Sequence, residues 1–150
     1  MISTIDNAKK LIDKSYPGIL HKNNISLNTE GSVPYIEIEG FKELGCIKHG
    51  FTTRLGGVSE GIYEALNMGI HLDDDKERIF ENYKRLGESM GIDYTRISVP
   101  NQVHNSNILV VTEEDAGDGI IRERTHIDVD AQITNVKNIP LIVYTADCVP

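Results

Sequence analysis

The chain has 150 residues, enough to bury one core, and an ordinary hydrophobic share of 39%. Fifteen Lys and Arg against 23 Asp and Glu leave a net charge of −8, so the surface repels phosphate backbones and anionic lipid, and neither nucleic acid nor membrane is an expected partner. No window approaches membrane-spanning length, the start MISTIDNAKKLIDKS is not a secretory signal, and two cysteines, Cys46 and Cys148, make no disulfide framework, so a cytoplasmic protein with reduced thiols is expected.

Ile5, Ala8, Leu11 and Ile12 recur at helical spacing behind Ser3, and Pro17 with Gly18 ends the pattern, which predicts a short amphipathic helix. Residues 21–33 are polar and without period, as in a linker. Tyr35 to Glu39 suits a strand ending near Gly40. From His49 to Asn67 the chain carries Gly50, Gly56, Gly57 and Gly61 among Thr52, Thr53 and Arg54, which predicts tight turns bearing polar side chains. Asp73, Asp74 and Asp75 then supply a helix cap, Ile79, Tyr83, Leu86 and Met90 share one face, and Gly91 is the stop.

Beyond Gly91 the period shortens, and Ile97 to Val99, Ile108 to Val111, Val129 to Ile133 and Leu141 to Thr145 are predicted strands. A helix packed on a sheet is the minimum architecture. The final run, IPLIVYTADCVP, is continuous enough for a strand buried on both faces, and the sequence stops directly after it, as a chain cut short would.

His104, in PNQVHNSN between two predicted strands, can serve as a metal ligand or proton carrier; Cys148, in TADCVP beside Asp147, stands where strand ends line active sites. Taken singly, a loop histidine is more often surface and a buried cysteine more often core, and the two lie 44 positions apart, unlike a local metal signature. His49, His71, His126 and Cys46 read as hydrogen-bonded structural or surface residues. Arg54 and Asn67 offer directed hydrogen bonds to an anionic or heterocyclic ligand, or else fix a loop. Neither RLGG nor GGVSEG has the form of a phosphate loop or a dinucleotide fingerprint.

In order, HGFTTRLGGVSEGIYEALNMG, NQVH, DVDAQITN and TADCVP resemble the laccase-domain family, also called the polyphenol oxidase or peptidoglycan editing factor family. The resemblance runs from about Val33 to Pro150, so residues 1–32 are expected to be an N-terminal extension and 33–150 the N-terminal portion of a laccase-type domain. It implies an α+β fold of mixed sheets packed with helices. It also implies a metal site in which His104 and Cys148 match the first two ligands, while the third, a histidine of a later HAGWRG motif, has no counterpart in this sequence.

The activities implied are phosphorolysis of purine nucleosides and deamination of adenosine, besides copper-dependent oxidation of phenols. Zinc would suit hydrolysis and copper an oxidase. The implied partners are a purine nucleoside and phosphate, with Arg54, Asn67 and Gln102 expected to orient base, ribose or phosphate. Three alternatives stay open: a cysteine nucleophile, Cys148, paired with His104; a non-catalytic remnant; and an interaction module that self-associates through an apolar patch.

Overall fold

A computed structural model describes Lys10, Lys14 and residues 24–145. Apart from Lys10, the predicted helix over Ile5 to Ile12 lies outside the described residues, as do Asp147 and Cys148. The fold is α+β, and the chain divides into two compact units, residues 1–91 and 92–150.

In the first unit, β1 (Ile25–Asn28), β2 (Tyr35–Ile38) and β3 (Phe51–Thr52) form an antiparallel sheet in the order β1-β2-β3, with Ile25 opposite Ile38 and Tyr35 opposite both Asn28 and Thr52. β1 corrects the linker expected over residues 21–33. Its ISLN alternates apolar and polar residues, but four positions in a polar stretch are too few to show a period. A single helical turn, α1 (Glu39–Lys42), follows β2. The long helix α2 (Lys76–Met90) forms as its sequence predicts: the Asp75 carboxylate accepts from the Glu77 N–H at 2.8 Å, and Gly91 closes the C-terminus at φ 61°. Its buried face carries Ile79, Asn82, Tyr83 and Leu86, and Leu86 packs with Val33 and Leu66 in a core flanked by Met68 and Met90.

The stretch from Arg54 to Met68 is fastened to α2 by polar side chains. Asn82, fully buried, donates to the Ser59 hydroxyl at 3.0 Å and to the Asn67 carbonyl at 2.8 Å, and accepts from the Val58 N–H at 2.8 Å. Tyr83 donates to the Met68 carbonyl at 2.8 Å, and Arg85 reaches the Gly56 carbonyl. Glycine is required at Gly57, where a Cβ would stand 2.1 Å from the Ala65 carbonyl oxygen.

In the second unit, β4 (Ile108–Val110) and β5 (Ala131–Ile133) pair in parallel, with Ile108 opposite Ala131 and Val110 opposite Ile133. Both are shorter than their predicted spans. Ile97, Val99, Val111, Ile120, Val129 and Ile139 are buried in this unit. The stretches predicted as strands at Ile97 to Val99 and Leu141 to Thr145 meet only in an isolated bridge, Ser98 with Leu141. Nor is the final run buried on both faces over its described part: Leu141, Ile142 and Tyr144 are half-buried and Val143 is exposed. Among the described residues this segment has a single bridge on one side, where a central strand would be paired on both.

Asn82→Ala is expected to lower the unfolding free energy by about 3 kcal/mol, because it strands buried main-chain groups, whereas exposed Lys84→Ala should change it by less than about 0.5 kcal/mol. Urea unfolding of the two variants measures the difference; equal midpoints would refute the anchoring role.

Candidate functional site

His104 lies in the second unit on the loop before β4, with an exposed side chain and φ 62°. Left-handed backbone costs a residue bearing a Cβ about 1–2 kcal/mol, so something must hold it there. The holder is Asp130, which immediately precedes β5: its Oδ1 accepts from the Val103 and His104 N–H groups at 3.0 and 2.7 Å, and its Oδ2 accepts from Asn105 N–H at 2.8 Å. Consecutive N–H groups converging on one anion form a nest, filled here by an internal carboxylate. Partial desolvation pushes the Asp130 carboxyl up, but the three amide hydrogen bonds outweigh it and hold its pKa below the usual value. The imidazole makes no hydrogen bond among the described residues and is available as a nitrogen donor.

Gln102, two residues earlier, is tied down at both ends of its amide. Its NH2 donates to the Tyr144 carbonyl at 3.1 Å and its oxygen accepts from the Tyr144 N–H at 2.8 Å. Expected to orient substrate, it joins the His104 loop to the segment that leads toward Cys148. Among the described residues no three His, Cys, Asp or Glu side chains gather as a metal cluster. The structure therefore shows one expected ligand, His104, while the other, Cys148, lies outside the described residues.

Arg54 and Asn67 belong to the first unit. Arg54 is exposed, and its Nε donates to the Glu64 carbonyl at 3.0 Å; the terminal nitrogens make no hydrogen bond among the described residues. Asn67 is occupied, donating to Asp74 at 2.8 Å and accepting from the Gly69 N–H at 3.0 Å. The other titratable candidates have structural or surface settings. His49 accepts from the Ile38 N–H through Nε2, which leaves the proton of the neutral ring on Nδ1. His126 pairs with Asp115 at 2.8 Å, and His71 and Cys46 are exposed.

Sequence reasoning missed Asp115, Asp118 and Asp130. Asp118, buried, accepts from the Thr125 N–H and hydroxyl, and Asp115 makes a reciprocal cap with Thr112. The one available signal was Asp130, which stands inside DVDAQITN; its contacts are 25 to 27 residues away and leave no local period.

Residues 48–150 match the family model described as multi-copper polyphenol oxidoreductase laccase. The chain belongs to this family. A purine nucleoside phosphorylase of Corynebacterium glutamicum is 37% identical over 100 residues, a match covering 67% of this chain and 39% of that protein. The purine nucleoside phosphorylase YlmD of Geobacillus stearothermophilus is also 37% identical, over 102 residues, with 67% and 37% covered. The chain thus spans about 40% of the length of such curated relatives.

The crystal structures of YlmD from Geobacillus stearothermophilus and of the hypothetical protein YfiH from Bacillus licheniformis each superimpose with a TM-score of 0.73, at 30% and 28% identity. They cover 84% of this chain, which in turn covers 46% and 45% of theirs. The laccase-domain resemblance and the α+β class both hold. No helix among the described residues is long and apolar enough to cross a membrane.

Asp115 gives the second unit a defined acid response. Its pKa is lowered, chiefly by the Thr112 N–H, against burial that raises it and with further help from the His126 and Thr112 side chains. A depressed folded pKa means that the unfolded chain binds the proton more tightly, so this stability is fully present above the unfolded value of about 3.9 and is lost as pH falls through the folded value. Thermal unfolding should therefore show a steeper drop below about pH 4 in the parent than in Asp115→Asn; parallel curves would contradict this.

Proposed function

We propose that this chain supplies part of the site of a metal-dependent purine nucleoside phosphorylase, with His104 and Cys148 as metal ligands. The observation that carries the reading is the exposed, unengaged imidazole of His104 on a loop whose conformation is imposed from outside by Asp130. Such restraint is costly for a surface loop and suits a residue that must meet a ligand in fixed geometry. The names of the curated relatives, purine nucleoside phosphorylases at 37% identity, point to the same chemistry.

The donor chemistry fits the metal. An imidazole nitrogen and a thiolate sulfur suit zinc, with copper the alternative that the family's description favours. Such an ion would supply Lewis acidity when zinc, or electron transfer when copper. Phosphorolysis requires a phosphate oxygen to form the bond to the sugar C1′ as the bond to the purine nitrogen breaks, the departing base taking up a proton. Arg54, in the first unit, offers its unengaged terminal nitrogens to an anion such as phosphate, while Asn67 and Gln102 keep their own loops in register through the bonds described above. Deamination of adenosine is a related reading of the same ligands.

A second reading, non-catalytic self-association, draws on the exposed apolar residues Ile108, Val110 and Ile133, which share one face of the parallel pair. It predicts a mass that grows with concentration in light scattering without metal or nucleoside.

Elemental analysis of the purified chain, with His104→Ala and Cys148→Ser alongside, tests the proposal together with an assay for phosphate-dependent release of purine from inosine. Stoichiometric zinc or copper that both variants lose, with turnover falling in step, is the expected result. A parent that binds zinc or copper stoichiometrically and keeps it in both variants would sink it.

A further inference from the structure

We propose that Asp130 is the positioning residue for His104: its carboxylate holds the main chain on which the imidazole is carried, and so sets that side chain's readiness to bind a metal. The inference rests on the ligand role proposed for His104 and deepens it.

One carboxylate takes three successive N–H groups, those of Val103, His104 and Asn105, at 3.0, 2.7 and 2.8 Å. Successive N–H groups face a common point when neighbouring residues alternate in hand, so the positive φ of His104 and the position of the carboxylate require each other. Without the carboxylate, three donors lose their partner together and His104 has no reason to stay left-handed.

Asp130 is itself rigidly placed. Its N–H donates to the Asn107 carbonyl at 3.1 Å, the Ala131 N–H shares that acceptor at 3.3 Å, and the Asn107 side chain returns a bond to the Asp128 carbonyl at 3.0 Å. The register of β4 against β5, Ile108 opposite Ala131, is thus passed through one aspartate to the loop that precedes β4. A carboxylate serving only to stabilise the sheet would have no need to bond the main chain of His104 and of both its neighbours.

The experiment uses the full chain, zinc alone as the probe, and Asp130→Ala and Asp130→Asn, each made with His104 present and with His104→Ala. Calorimetric titration should show zinc affinity falling about tenfold or more on loss of the carboxylate when His104 is present, the size typical of groups that orient a metal ligand. In the His104→Ala background the same change should have no effect. Amide exchange at Val103, His104 and Asn105, followed without metal, should be slow in the parent, fast at all three in Asp130→Ala, and fast at Asn105 in Asp130→Asn, whose amide nitrogen cannot accept.

Equal losses of zinc affinity in both backgrounds would overturn the proposal, since the role would then be merely structural. So would zinc affinity within twofold of the parent, or amides that stay slow. If the parent and His104→Ala bind zinc alike, the ligand reading of His104 fails, and the exchange rates alone judge Asp130. The asparagine variant, nearly isosteric, keeps the test usable if the alanine variant does not fold.

Discussion

The first unit depends on the amide of Asn82, because the stretch from Arg54 to Met68 has only one ladder-type pairing, Ser59 with Ala65, among the described residues. Buried main-chain groups must still find partners. Asn82 supplies them from a helix that is stable for its own reasons, with a cap, an apolar face and a glycine stop that agree. The helix is thus a rail on which an irregular segment is hung, and Arg54 inherits its place from that attachment.

The second unit applies the same economy with carboxylates. Asp115, Asp118 and Asp130 each accept main-chain N–H groups, and together they shape the segments on either side of β4 and β5. A chain with a net charge of −8 has acidic side chains to spend in this way. Charge-assisted acceptors are stronger than neutral ones, which lets strands of three residues suffice where a longer ladder would otherwise be needed.

Much of this was legible in the sequence, and the part that was not has a common cause. Lys76 to Met90 could be read because its evidence is local: an aspartate, a repeating apolar face and a glycine within one window. His104 stood out through the motif around it. β1 was missed because four alternating residues carry too little period, and Asp130 because its partners are remote in sequence. Ile139 is buried as its apolar character suggests, but Leu141 to Thr145 is less buried than its hydrophobicity predicts, because burial needs neighbouring strands that the local sequence cannot disclose.

The bond pair between Gln102 and Tyr144 has a consequence for association. A glutamine side chain ends in the same donor and acceptor as a peptide group, so here it pairs one residue of the chain as an adjacent strand would. Tyr144 consequently presents neither of these main-chain groups to an incoming extended segment. A single side chain thus occupies, at that one residue, the groups through which another molecule's extended chain could pair.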